Sequence, residues 1–372
     1  VQRIRREHLR PCASQRAPLA RVARLAEELR SVRDRRHRRN SPRALLSAHA
    51  ISAARSHRDR RAAKFAPSII GARFAEALAL FKLAHVSDLH ATAARFTRLD
   101  ELNAKRAFGW LSYQARRRHA YRPEIAARVL DDLAALAPDH VAVTGDLTHM
   151  GLASEVREAR EWLARLGAPD RVTLVPGNHD AYGGDIAHEC VDAWRPYLNS
   201  DCAAAVLFPS LRVRGPIALI GLSSAVPTPV HLATGRAGQA QLAQLADLLR
   251  DLAARRLCRV VLVHHPPTRA HVSWRRRLED GPALCEILGR AGAELVLHGH
   301  AHRAARDAIV TASGAIPVFG VPATSSALKA RPGASQVFTI EPGAQGFAIT
   351  CELRAVDLAS GEVRARAPER VA

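Results

Sequence analysis

The sequence predicts an α/β layered domain, and three observations carry that expectation. From residue 80 onward, short apolar runs alternate with amphipathic stretches of helical period. Each run is apolar without a polar face, as strands buried on both sides are. Five of the runs stop at residues of metal-ligand type, and loops after strand ends are where such folds place their sites.

The runs fall at 81–86, 140–144, 172–175, 217–221, 260–263 and 295–297. Between several of them, 123–136, 154–166 and 237–254 read as amphipathic helices. After Ile316 the pattern becomes strand-like segments with Pro and Gly turns, ending near Arg354. The organisation expected is a basic extension over 1–78, an α/β domain over 79–356 and a C-terminal tail over 357–372.

Charge separates the first segment from the rest. The 372 residues carry a net charge of +20, and residues 1–73 hold 20 Lys and Arg against 5 Asp and Glu, a net of +15. The high isoelectric point therefore describes this Arg/Ala-rich arm and not the domain. As a functional element the arm would contact nucleic acid or an anionic membrane. Otherwise it is a poorly ordered tail or a start-site artefact. The chain begins with Val, as a GTG start translated literally would, and GC-rich upstream sequence encodes such a composition.

Other classes find no support. The six cysteines form no CxxC pair, so reduced thiols in a cytoplasmic protein are expected, with Cys190 and Cys202 the one pairing considered. The longest apolar candidate, 68–81, is interrupted by Arg73 and Glu76, and no secretory pattern appears. A P-loop, a GxGxxG fingerprint and a nucleophile elbow are all missing.

The strand ends carry the chemistry. Asp88 and His90 follow the first run, Gly145 and Asp146 the second, and Gly177, Asn178, His179 and Asp180 the third. His264 and His265 follow the fifth; His298, Gly299, His300, Ala301 and His302 close the sixth. Alone, an Asp after a strand is usually a helix cap and Asn-His-Asp a turn. Five such ends in one chain point instead to metal binding. A donor set rich in imidazole favours Mn, Fe, Zn or Co over Mg or Ca.

In this form and order the residues resemble the calcineurin-like metallophosphoesterase superfamily: D-x-H, G-D, G-N-H-D, a His before Pro, and G-H-x-H. The Asn-His-Asp and His-His-Pro-Pro forms are most similar to bacterial class III cyclic-nucleotide phosphodiesterases and glycerophosphodiesterases. The resemblance implies a four-layer α/β/β/α sandwich of two mixed sheets flanked by helices. It implies two divalent or trivalent metal ions, one on Asp88, His90 and His302, the other on Asn178, His264 and His300, with Asp146 bridging. His264 and His265 compete for one place. The family spacing to Pro selects His264, and adjacent residues of a regular strand point to opposite faces. His179 is implied to stabilise or protonate the leaving oxygen, with Asp180 able to hold its imidazole. His298 reads as structural.

The activity implied is phosphodiester hydrolysis, with small diesters such as cyclic nucleotides as first expectation. The alternatives are a pyrophosphatase on a nucleotide-linked lipid of the UDP-diacylglucosamine type and a nucleic-acid-binding protein acting through the basic arm. Two segments, 97–123 and 271–280, read as insertions beside the site. They hold two of the four Trp (Trp110, Trp274) and two of the four Tyr (Tyr113, Tyr121), together with Lys105, Arg106, Arg116, Arg117, Arg118, Arg275, Arg276 and Arg277. That composition suits a nucleotide-containing phosphate ester or a membrane interface.

Overall fold

The structure, a computed structural model, describes residues 80–98, 101–182, 186–201, 208–312, 314–344 and 346–371. All of the described residues belong to one compact unit. The expected extension over 1–78 lies outside the described residues.

All six apolar runs are strands. They are β1 (Phe81–Val86), β2 (His140–Val143), β3 (Val172–Leu174), β5 (Ile217–Leu222), β6 (Cys258–Val263) and β7 (Leu295–His298). Their neighbours are β4 (Ser210–Arg214), β8 (Ala305–Thr311), β9 (Gly314–Gly320), β10 (Ala327–Leu328), β11 (Arg331–Pro332), β12 (Ala334–Gly343), β13 (Gly346–Val356), β14 (Val363–Ala365) and β15 (Glu369–Arg370). The helices are α1 (Ala104–Ser112), α2 (Pro123–Leu136), α3 (Ala153–Leu166), α4 (Ile186–Leu198), α5 (Gln239–Ala254) and α6 (Gly281–Ala291).

One sheet has the order β14-β13-β12-β1-β2-β3, with β15 also on β13; the other runs β4-β5-β6-β7-β9-β8. Both are mixed: β1, β2 and β3 are parallel and β12 antiparallel to β1, while β5, β6, β7 and β9 are parallel between two antiparallel edges. Residues of both sheets share one core, Leu83, Phe338 and Ile340 of the first with Leu219, Leu262 and Leu297 of the second. The opposite faces pack on helices. Val86 and Val143 join Val129 of α2, Leu163 of α3 and Trp194 of α4, and Ile220 and Val261 join Leu245 of α5 and Leu284 of α6. With strands buried on both faces, the period-two alternation only divides apolar residues between two cores. This is the four-layer sandwich expected.

The edge strands β4 and β8 were invisible in the sequence because they are half polar, whereas the edge strand β3 is wholly buried and was legible. β4 alternates between buried and partly buried positions, and β8 is buried only at Ala305 and Ile309. Likewise, 357–372, expected as a tail, contributes β14 and β15 to the first sheet. Three- and two-residue strands of Val-Arg-Ala and Glu-Arg carry no apolar run to detect.

Four of the described thiols, Cys190, Cys258, Cys285 and Cys351, are in no disulfide, and the Cys190 Sγ lies 3.3 Å from the Asp180 carbonyl. Cys202 lies outside the described residues. Among those residues, no helix is long and apolar enough to cross a membrane.

Candidate metal centre

Parallel pairing brings the carboxyl ends of β1, β2 and β3 to one edge of the first sheet, and those of β6 and β7 to one edge of the second. The loops beyond them interlock through their backbones. Asp88 N donates to the Gly145 carbonyl (2.8 Å), His90 N to the Asp146 carbonyl (3.2 Å) and Gly299 N to the His264 carbonyl (3.1 Å). The glycines permit this approach: a Cβ on Gly177 would lie 2.2 Å from Asp146 Oδ1, and one on Gly299 1.8 Å from Ser87 Oγ.

Five of the candidate ligands adopt positive φ: Asp88 (50°), His90 (40°), Asp146 (55°), His300 (63°) and His302 (50°). Only two other described non-glycine residues do so, Ala137 and Arg256. Each such residue costs on the order of 1–3 kcal/mol and persists only where its surroundings over-determine it. Here the cost is concentrated on one constellation.

The structure brings the predicted residues together as two clusters. Ligand atoms of Asp88, His90, Asp146 and His302 lie within 4.8 Å of one another, as do those of His264, His265 and His300. Asp146 and Asn178 approach the second cluster, for Asp146 Oδ2 and Asn178 Oδ1 are each 3.2 Å from His264 Nε2.

The hydrogen-bond partners determine which imidazole nitrogen is free. His90 Nδ1 donates to the Thr148 carbonyl (2.7 Å) and His264 Nδ1 to the Thr144 carbonyl (2.6 Å). His300 uses Nε2 on the Arg276 carbonyl (2.9 Å), leaving Nδ1 for the cluster. In those tautomers the Nε2 lone pairs of His90 and His264 face Asp146 Oδ2, at 3.8 and 3.2 Å. His302 Nε2 stands 2.9 Å from Asp88 Oδ1. Asp88 Oδ1, His90 Nε2, Asp146 Oδ2 and His265 Nε2 are buried without a hydrogen-bond partner. Acceptors facing acceptors in a buried place require a proton or a cation between them. The donor set therefore fits metal ions.

The electrostatics agree. Burial, reinforced by neighbouring cationic groups, holds His90, His265 and His300 well below the usual histidine range, so their lone pairs are available. At His264 burial opposes charge, but Asp146 and Asp88 outweigh it and carry the imidazole up to about 9. A cation at the carboxylates would compete for that place.

His265 departs from the strand-alternation expectation. β6 ends at Val263, so alternation no longer governs the two residues after it. The His265 and His300 rings are 4.3 Å apart, and Ser224 Oγ meets His265 Nδ1 at 2.8 Å. Both histidines reach the second cluster.

Asp180 also departs from expectation: its carboxylate hydrogen bonds all avoid the His179 ring. Oδ2 accepts from the backbone N–H of Asp146 and Gly177, and Oδ1 from the backbone N–H and hydroxyl of Thr148. It thus ties the Gly-Asp loop to the Asn-His-Asp loop. The ring is held by the carbonyl of His149, which accepts from Nδ1 at 2.6 Å, while Arg117 Nη1 lies 3.1 Å from Nε2. Burial, with Arg117 beside it, holds His179 well below the usual range. His298 is buried, with Nδ1 on the Gly299 carbonyl, as a structural residue.

The segments read as insertions divide between packing and site. α1 continues through a π-helical turn, Tyr113–Arg117. Trp110 and Tyr113 pack on Met150 and Leu152, while Arg106 donates to the carbonyls of Glu101, Met150 and Gly151. Arg117 and Tyr121 reach the clusters; Trp274 is exposed and Arg276 donates to the His300 carbonyl. Sequence reasoning missed Tyr121 as a partner of His302, His149 as the support of His179, and Glu155. The buried Glu155 carboxylate accepts from the backbone N–H of His149, Met150 and Leu152 and so fixes the loop after Asp146. Only Tyr121 stood in a segment that the sequence had marked as lying beside the site; Glu155 fell in 154–166, read only as a helix.

A cleft of about 520 Å³ opens over the clusters, lined among others by Arg117, Tyr121, Asp146, Asn178, His300 and His302. Known proteins place this architecture. A "Probable cyclic nucleotide phosphodiesterase" of Synechococcus sp. is 28% identical over 203 residues, 54% of this chain and 70% of that protein. The solved structure of a dimetal phosphatase from Danio rerio is similar in fold, with a TM-score of 0.53 and 14% identity over 77% of this chain and 98% of that one. The sequence profile of the calcineurin-like phosphoesterase family matches residues 81–304. That span runs from β1 to the loop after β7 and contains every residue of both clusters, so this chain belongs to the calcineurin-like phosphoesterase family, the metal-dependent phosphoesterases.

Proposed function

We propose that the protein is a two-cation phosphodiesterase acting on small phosphodiesters such as cyclic nucleotides. The observation that carries this reading is Asp146: one buried carboxylate, at the floor of a solvent-open cleft, faced by imidazoles of both clusters. The likeness to the Synechococcus protein favours a diester over a monoester. A cytoplasmic location completes the reading, supported by a cysteine spacing that contains no CxxC pair and suggests no disulfide framework.

In this reading Asp88, His90 and His302 would hold one cation, Asn178, His264 and His300 the other, and Asp146 would serve both, with His265 as a further donor for the second. When bound, Mn, Fe, Zn or Co at these places would acidify a water and neutralise charge on the phosphoryl oxygens. The chain does the rest. Asp88 and Asp146 supply the counter-charge, and the carbonyls of Thr144, Thr148 and Arg276 keep each imidazole presenting its free nitrogen inward. His179 meets the leaving oxygen through Nε2, held in orientation by the His149 carbonyl. Asp180 is a positioning residue for the two loops.

A substrate panel with added Mn tests the assignment: a bis-nitrophenyl diester, cyclic AMP, a nitrophenyl monoester and a UDP-linked lipid. Diesters should turn over faster than the monoester. Preference for the monoester would overturn the diesterase reading, and fastest turnover of the lipid would move it to a pyrophosphatase.

A further inference from the structure

The cleft holds more positive charge than a single phosphodiester requires. Arg117, Arg275, Arg276 and Arg331 line it, Arg275 lying over the exposed Trp274 ring, and among the described residues Asp146 is the only acidic one that does. Among the described residues none of the four forms an ion pair with a carboxylate, whereas Arg214, Arg259 and Arg354 pair with Asp201, Glu294 and Asp132. The imbalance is local, since residues 74–372 carry 35 Lys and Arg against 30 Asp and Glu. Tyr121, whose hydroxyl touches His302, lines the same cleft, so these side chains stand beside the first cluster.

Charge counting gives this arrangement a meaning. In the ligand set proposed above, two divalent cations would bring +4 and Asp88 with Asp146 −2. A hydroxide equivalent and a singly charged diester complete neutrality. The guanidiniums of Arg117, Arg276 and Arg331, beside that of Arg275 over Trp274, then remain at the cleft with no counter-charge, where like charges repel unless the ligand brings anionic groups. Guanidinium forks match phosphoryl oxygens in pairs and are the side chains suited to such a group.

We infer that Arg117, Arg276 and Arg331 form an anion-binding subsite beside the reacting phosphate, and that the preferred substrate is a diester carrying a second phosphoryl group. This rests on the phosphodiesterase reading and narrows it, because a cyclic nucleotide with one phosphate leaves the subsite unfilled. The reaction is hydrolysis. The water oxygen bonds to phosphorus, the bond to the leaving oxygen breaks with its electron pair, and the water proton ends on that oxygen.

Equilibrium binding tests it apart from turnover. Calorimetry on the Mn-loaded full chain compares adenosine 5′-(α,β-methylene)diphosphate with AMP. The diphosphonate should bind about 10-fold or more tighter, and Arg331→Gln and Arg276→Gln should each weaken it by roughly 10–100-fold with a smaller loss for AMP. Equal affinity for both ligands, or equal losses on both, overturns the subsite. If the same preparation hydrolyses a nitrophenyl diester, only the subsite falls. If it hydrolyses no phosphodiester at all, the reading beneath it falls and takes the subsite with it.

Discussion

The Tyr121 hydroxyl lies 2.7 Å from His302 Nδ1, while His302 Nε2 lies 2.9 Å from Asp88 Oδ1. With Nε2 free toward the carboxylate, Nδ1–H donates to the phenol oxygen, which sets both the tautomer and the tilt of the ring. Partners of this kind are worth about 10–100-fold in metal affinity. Tyr121→Phe should therefore weaken one of two cation-binding steps by that factor with little change in melting temperature. Titration of the chelator-treated protein with Mn reads both steps; unchanged affinities would remove Tyr121 from the site.

Asp146→Asn tests the shared carboxylate. Asn tolerates the positive φ of this position, so the backbone should keep its form. Bound metal should fall from two ions per chain to fewer than one, and turnover by more than about 10²-fold, beyond what outer partners are worth. Elemental analysis of purified parent and variant decides it. Two ions and full turnover in the variant would refute the bridge.

His179→Ala should keep both ions and lose turnover. General-acid help is worth about 10²–10⁴-fold, and its loss depends on the leaving group. An alkyl diester, whose alkoxide needs a proton, should suffer more than a nitrophenyl diester. Equal defects would mean that His179 acts by position or charge and not as an acid.

His140 provides a pH test remote from the clusters. Its ring is buried on Thr173 Oγ1 (2.8 Å), and burial, aided by Arg214 and Arg212, lowers it from 6.5 to about 3. Below pH 6.5 the unfolded chain binds a proton that the folded chain refuses, so stability falls as pH drops from 6.5 toward 3. Between pH 7 and 5 this amounts to about 2 kcal/mol. Urea midpoints of metal-free parent and His140→Gln should show a loss smaller by that amount in the variant. Parallel losses would place the titration elsewhere.

Removal of residues 1–73 should leave the thermal transition and the hydrolysis of a small diester nearly unchanged, because the family match begins at residue 81. A truncated chain without a transition would make the arm part of the fold. Retained folding with loss of nucleic-acid binding and no hydrolysis in the parent would favour the nucleic-acid alternative.

The sequence by itself determined the strands of both sheet centres and the residues at their ends. A strand buried on both faces must be a continuous apolar run, and the first polar residues after it stand out against that background. Asp88, His90, Asp146, Asn178, His264, His300 and His302 were legible for this reason. Tertiary structure alone decided how they are held. Tyr121 meets His302 across 181 positions and the His149 carbonyl meets His179 across 30. His265 joins its cluster because β6 ends two residues earlier than the alternation assumed, and Asp180 turns to the backbone of another loop rather than to its neighbour. Such contacts depend on where two separate loops meet when the sheets pack, and no periodicity along the chain records that distance.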